Sequence, residues 1–356
     1  MNCIFLILQY KNVTMNSRRN FIRSTGILAA ASLLIPNDII AQNTVITKEK
    51  IKPKALKFGD TIAITSPAGA VWDESQIEIF ATILKGFGFN VVFGKTLKEK
   101  FGYFAGTDEL RANEINELFA DKTVKGIFCM KGGWGCARIL DKIDYDLIEK
   151  NPKVLIGFSD ITALLIAITA KTGLVTFHGP VGNSGWNDFT KSIFTNVVMT
   201  PKSFNYPENT LAENKSTLIN SGKASGILYG GNLTVLTSLI GSPYLPDWKN
   251  KLLFLEEVKE EFYSIDRMLT QLKQAGILNS INGLVFGKCV KCLAEEPLKS
   301  FTFHEVILQH IQPLGIPAFY GAMIGHIENK LTVPLGIIAS IDADKGILSL
   351  DENSVL

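Results

Sequence analysis

Val154-Leu155-Ile156-Gly157-Phe158-Ser159-Asp160 runs directly into Ile161-Thr162-Ala163-Leu164-Leu165-Ile166-Ala167-Ile168, so an apolar strand meets an apolar helix with a serine on the turn between them. A strand-to-helix turn of this kind exposes the hydroxyl above a sheet edge. It also aims the first backbone N–H groups of the helix at whatever the serine attacks. Ser159 is therefore a candidate nucleophile. Ile161 stands where a G-x-S-x-G elbow would have its last glycine, and a serine N-cap opening a buried helix reads from the same residues.

Outward from this turn the alternation repeats. Residues 61–65, 90–93, 126–130 and 154–156 read as strands, and 74–86 and 108–120 as helices, with Leu110, Ile115, Leu118 and Phe119 approximating one helical face. The pattern predicts an α/β fold whose parallel sheet carries helices on both faces and whose active site lies beyond the carboxyl ends of the strands. Residues 181–222 change character, rich in Asn, Ser, Thr, Lys and Pro with little periodicity. They place a linker over 186–222, between a first domain at 55–185 and a smaller mixed α/β domain at 223–356. In the latter, strands are expected at 252–258 and 283–287, helices at 264–275 and 303–311, and short closing strands near 331–338 and 347–350.

The chain has 356 residues, 46% hydrophobic and 20% charged, enough for about two domains. Its formal net charge of +2 comes from the first 41 residues, where Lys11, Arg18, Arg19 and Arg23 face Asp38; the rest carries about −1. Nothing in that balance suggests a nucleic-acid partner. Ser17-Arg18-Arg19-Asn20-Phe21-Ile22-Arg23 followed by the apolar stretch 27–35 reads as a twin-arginine export signal. Cleavage after Ala41 would leave an exported, periplasmic protein, and Met15 is an alternative start. Elsewhere there is no apolar run of 18 residues, so no membrane span is expected after signal removal. Of five cysteines only Cys289-Val290-Lys291-Cys292 has motif spacing. Zinc lacks a second ligand pair, a redox pair or a local disulfide remains, and an incidental pair at a strand end is preferred.

A serine nucleophile needs a base, and the base needs a partner that fixes its tautomer. There are four histidines. His304 and His310 fall in a helical stretch and read as surface residues. His178, in Thr176-Phe177-His178-Gly179-Pro180, and His326, in Gly321-Ala322-Met323-Ile324-Gly325-His326, are both placed to reach a site, and spacing does not rank them. Glu256 and Glu257 end the apolar run Leu252-Leu253-Phe254-Leu255, where a carboxylate can point into a cleft or simply be solvated. Lys131-Gly132-Gly133-Trp134-Gly135 follows a strand and can present backbone N–H groups to an oxyanion. It is no dinucleotide fingerprint, lacking the G-x-G-x-x-G spacing and the acidic partner.

These blocks, taken in order, resemble the LD-carboxypeptidases, the serine peptidases that include muramoyltetrapeptide carboxypeptidases and microcin C self-immunity hydrolases. The resemblance rests on Phe58-Gly59-Asp60-Thr61-Ile62 with Ser66-Pro67, Arg111-Ala112-Asn113-Glu114, Lys131-Gly132-Gly133-Trp134-Gly135 with Ala137-Arg138, and Gly157-Phe158-Ser159-Asp160. It continues through Thr176-Phe177-His178-Gly179-Pro180, Gly230-Gly231-Asn232-Leu233, Leu255-Glu256-Glu257 with 265–272, and Gly325-His326 with Pro334-Leu335-Gly336. It implies a flavodoxin- or amidotransferase-like first domain and a Ser-Glu-His triad of Ser159, Glu256 and His326. It also implies an oxyanion hole from the Asp160 N–H and the Gly132-Gly133 turn, with Gly133 as donor, and needs no metal or cofactor. Trp134, His178 and Asn232 would line the substrate site, which would straddle the two domains and be assembled by their closure. Phe158 and Trp134 stand where the family often has tyrosine, and Lys131 where it often has arginine. Export also departs from the cytosolic recycling role familiar for these enzymes.

The expected substrate is a muropeptide or peptidoglycan stem tetrapeptide, losing its terminal D-alanine by cleavage of an L,D-amide. The alternatives are hydrolysis of a peptidyl-nucleotide antibiotic, with Trp134 stacking on the base, and a non-catalytic muropeptide-binding protein. Arg138 and Arg267 could hold the substrate carboxylate or simply sit in surface ion pairs. Monomer and homodimer both remain open.

Overall fold

The computed structural model describes residues 48–207 and 215–356; the export signal read over residues 1–41 lies outside them. In the first half, β1 Thr61–Thr65, β2 Asn90–Phe93, β3 Val124–Cys129, β4 Val154–Gly157 and β5 Thr176–His178 alternate with α1 Ser75–Gly86, α2 Asp108–Ala120, α3 Tyr145–Lys150 and α4 Thr162–Thr172. β1 pairs in parallel with β2 and β3, β3 with β4, and β4 with β5. Local chemistry sets the helix ends. Thr107 caps α2 by accepting the Leu110 N–H, and α4 stops at Gly173, whose φ of 78° suits glycine. The apolar run of α4 has no polar face because almost all of it is buried.

The second half adds α5 Asp188–Phe194, β6 Phe204–Asn205, β7 Thr217–Asn220, β8 Lys223–Asn232, α6 Leu233–Ser238, β9 Lys251–Val258, α7 Phe262–Gln274, β10 Gly283–Val290, α8 Phe303–Ile311 and β11 Ala318–Tyr320. It ends with β12 Val333–Leu335, β13 Ile338–Asp342 and β14 Ile347–Leu350. Eight of these strands form a mixed sheet in the order β6-β14-β13-β8-β9-β10-β11-β7. β12 instead crosses to the first sheet and pairs antiparallel with β5, setting Val333 opposite His178. The second sheet thus has more strands than the first, eight against six.

The stretch 186–222, expected to be a linker, is structured where it is described. Trp186, Phe194, Val197 and Val198 are buried, and the Phe194 ring meets Phe87, Phe128 and Trp186 at 5.1–5.7 Å. Its few large apolar residues are diluted by Asn, Ser, Thr and Lys, which hides their periodicity; β6 and β7 then complete the edges of the second sheet. One apolar core runs through both sheets. Cys289 and Cys292 form a disulfide at the end of β10, the local bridge rather than the incidental pair. Among the described residues no helix is long and apolar enough to cross a membrane.

Candidate active site

Ser159 leaves the end of β4 with φ 62°, a left-handed conformation that a non-glycine residue adopts only under constraint. The constraint is packing. A Cβ at Gly157 would lie 2.7 Å from Ile161 Cγ2, and one at Gly132 would lie 2.9 Å from Ser159 Oγ and 3.2 Å from the Asp160 nitrogen. The glycine turn at 131–135 therefore lies directly against the serine. Asp160 ties the two turns together, since its buried carboxylate accepts the Cys136 N–H at 2.8 Å. Burial pushes its pKa up. The side chain thus has a structural task of its own, beside the backbone N–H that the resemblance makes an oxyanion donor. Arg111, fully buried, braces the same turn by donating to the carbonyls of Pro67 at 2.7 Å and Gly135 at 2.9 Å while pairing with Asp108.

The second sheet delivers the acids. Strand alternation sends Glu256 and Glu257 to opposite faces at the end of β9. Glu256, with no exposed side-chain surface, accepts the His326 Nδ1–H at 2.9 Å, which leaves Nε2 as the basic nitrogen of the ring. Gly325, at φ 124°, permits this approach: a Cβ there would stand 3.0 Å from Glu256 Oε2. The His326 ring packs 4.7 Å from that of Phe158, the residue before Ser159. Among the described residues no hydrogen bond joins Ser159 Oγ to His326. Glu257 takes a structural part, accepting Asn232 Nδ2–H at 2.9 Å and the Thr234 N–H and hydroxyl at 2.8 Å, and burial raises its pKa.

The remaining candidates separate. Trp134, 44% exposed, lines a cavity of about 210 Å³ with Gly133, Ser159, Asp160, Asn232 and Glu257. Asn232 reaches that cavity, but its amide is engaged by Glu257 and by capping α6 through the Val235 N–H at 3.1 Å. Neither His178 nor the Glu256–His326 pair lines it, and the two histidines differ in their surroundings instead. His178 is 2% exposed, with its ring 5.8 Å from Phe158 and 5.3 Å from Phe254 and neither nitrogen hydrogen-bonded among the described residues. Covered by β12, it sits behind the site rather than at its rim. Burial lowers its pKa to about 4, against the opposing pull of Glu256. Arg138 is held by Asp108 and Arg267 lies over Tyr263. His310 is half-buried against Asp266 at 2.7 Å, not a free surface residue.

One residue had no signal in the sequence. Lys330, buried, places Nζ 4.5 Å from the Phe158 ring centroid and donates to Ser184 Oγ at 3.2 Å; desolvation lowers its pKa to about 8. It stands in Glu328-Asn329-Lys330, an unremarkable polar loop.

The arrangement, a constrained serine beside a glycine turn with a carboxylate-oriented imidazole at hand, suits acyl transfer. Two family models match the chain: the LD-carboxypeptidase N-terminal domain over residues 62–179 and the C-terminal domain over 225–341. The chain belongs to the LD-carboxypeptidase family. It is 40% identical over 298 residues to a probable murein peptide carboxypeptidase of Bacillus subtilis, covering 82% of this chain and 91% of that one. To the microcin C7 self-immunity protein of Escherichia coli it is 31% identical over 329 residues, covering 83% and 94%. The microcin C7 self-immunity protein solved with aspartyl sulfamoyl adenosine superposes at a TM-score of 0.79 and 29% identity, over 86% of this LD-carboxypeptidase and all of that chain. A muramoyltetrapeptide carboxypeptidase from Oxalobacter formigenes superposes at 0.73 and 29%, over 83% and 99%. The two-sheet α/β architecture is therefore that of the family, and the protein is a hydrolase of the carboxypeptidase class.

Proposed function

We propose that this protein is a serine-type LD-carboxypeptidase that releases the terminal D-alanine from a peptidoglycan stem tetrapeptide. The observation that carries the reading is the Glu256–His326 hydrogen bond at 2.9 Å, set against a serine held at φ 62°. Ser159 Oγ attacks the carbonyl carbon of the L,D-amide while His326 Nε2 takes its proton. The tetrahedral oxyanion is received by the N–H groups of Asp160 and Gly133, each worth about 3 kcal/mol in the transition state. Collapse passes the proton from His326 to the leaving amine and leaves an acyl-Ser159 ester. Water, deprotonated by the same imidazole, then releases the shortened peptide. Glu256 holds the tautomer and offsets the imidazolium charge. The substrate class is supported by the murein and muramoyltetrapeptide carboxypeptidases among its relatives. Work outside the inner membrane, after twin-arginine export, would put the enzyme beside its polymer.

Incubation of the protein with disaccharide-tetrapeptide, read by mass spectrometry, should give tripeptide and free D-alanine. Ser159→Ala should give neither. No release by wild type, or full release by the variant, overturns the reading. A second reading, cleavage of a peptidyl-nucleotide antibiotic, is favoured by one observation, the exposed face of Trp134 on the Ser159 cavity, where a base could stack. A processed microcin-type substrate that stays intact would eliminate it.

A further inference from the structure

At the opposite end of the first sheet lies a second pocket, of about 480 Å³, that the proposed chemistry does not use. It opens at the amino ends of the strands: Asp60 precedes β1, Val124 begins β3 and Lys153 precedes β4. Ser159 and the glycine turn follow the carboxyl ends of β4 and β3. With roughly 3.3 Å per residue, the length of β3 alone separates the two by about 20 Å.

The lining is segregated in charge. Six lysines, Lys52, Lys54, Lys57, Lys122, Lys125 and Lys153, stand around it with Asp60 as the one acidic side chain, although the chain beyond residue 41 is close to neutral. Lys52 is neutralised by Glu352 at 2.8 Å. Among the described residues the others form no ion pair, although the Asp121 carboxylate acts on Lys153 through space. Lys122 donates to the Asn151 side-chain carbonyl and Lys125 to the Lys122 carbonyl at 2.6 Å; Lys153, buried, donates to the carbonyls of Leu118, at 2.9 Å, and Asp121 at the end of α2. Neutral acceptors orient an ammonium without cancelling its charge. The Lys54 and Lys57 side chains are exposed, with no hydrogen bond or ion pair among the described residues. Desolvation lowers the pKa of Lys153 to about 8; the Asp121 carboxylate opposes that shift, while Lys125 and Lys122 add to it. Ala55, Val124, Pro152 and Leu356 add apolar surface to the lining.

Lysines gathered around a concave, partly apolar site repel one another unless an anion sits among them, and ammonium groups serve phosphate as point charges. We propose that this pocket binds a phosphate-bearing anion, either a soluble phosphate compound or the headgroup of an anionic phospholipid. In the second case the active-site end of the sheet faces away from the lipid surface.

The test uses the whole protein with two probes at about 50 mM salt, where exposed charges are little screened. Inorganic pyrophosphate is titrated by calorimetry, and vesicles of phosphatidylcholine with or without phosphatidylglycerol are used in a flotation assay. Saturable pyrophosphate binding supports a soluble ligand; flotation only with phosphatidylglycerol supports the lipid. In either case the triple variant Lys54→Glu, Lys57→Glu, Lys125→Glu should weaken binding by about 10²-fold or more. The same variant should leave tetrapeptide cleavage within error, because its positions are exposed and far from Ser159, and should hold or raise the thermal midpoint, because it relieves the repulsion among the lysines. Lys54→Gln with Lys57→Gln gives a milder control for folding. Absence of binding to both probes, or equal binding by wild type and the triple variant, overturns the proposal.

Discussion

Two histidines flank the Phe158 ring in contrasting surroundings. His326 is 23% exposed at its side chain, follows a glycine that clears the way, and has a carboxylate oxygen 2.9 Å from Nδ1. His178 is wedged between Phe158 and Phe254, with neither ring nitrogen hydrogen-bonded among the described residues. Glu256 acts on both, but on His178 only through space, and there burial wins. Proximity to a carboxylate does not make a base. A hydrogen bond that fixes the tautomer and leaves the far nitrogen accessible does.

The comparison is broken most directly by removing each ring. His326→Ala should lower kcat/KM on the tetrapeptide by about 10⁴-fold or more, as loss of a triad base does. His178→Phe, which keeps the volume and drops the nitrogens, should stay within about tenfold. Steady-state kinetics on the two variants decide the matter, and the opposite ranking would transfer the role of base to His178.

A smaller effect should come from Gly325. An alanine Cβ would press on Glu256 Oε2 at 3.0 Å and on the Lys288 carbonyl at 3.3 Å, in a backbone conformation that L-residues avoid. Gly325→Ala should therefore displace the imidazole and cost about 10²-fold in kcat with the fold retained, since misplacement of about 1 Å has that effect. Unchanged kcat with normal circular dichroism would mean that the loop can carry His326 without the glycine.

The strand-helix alternation of the first half, the turn at Ser159 and the end of β9 could all be read from the chain, because each depends on residues adjacent in sequence. What could not be read depends on distant contacts. β12 joins the first sheet through its pairing with β5, more than 150 residues away, and that crossing buries His178, which the local pattern places within reach of a site. Lys330 reaches Phe158 by tertiary packing alone. The spacing of Cys289 and Cys292 fitted several chemistries, and only their positions at the end of β10 choose the disulfide. Spacing alone does not rank His326 above His178; the Glu256 hydrogen bond and the clearance at Gly325, both set by tertiary contacts, distinguish its surroundings.

The least of the expected effects separates the two histidines by stability rather than rate. His178 has a folded pKa of about 4, below the ordinary value of 6.5, because burial penalises its charge. Between those values the unfolded chain binds a proton that the folded chain refuses. Stability is thus complete above about pH 6.5 and is lost as pH falls toward 4. At about pH 5.5 the loss should be about 1.4 kcal/mol, one pKa unit of linkage. Urea unfolding at about pH 7.5 and about pH 5.5 should show this decrement in wild type, reduced by that amount in His178→Phe, which has nothing to protonate at that position. An equal decrement in both proteins would mean that His178 takes its proton while folded. The wedge of Phe158 and Phe254 would then have to admit water, and the distinction between a buried imidazole and a catalytic one would rest on Glu256 alone.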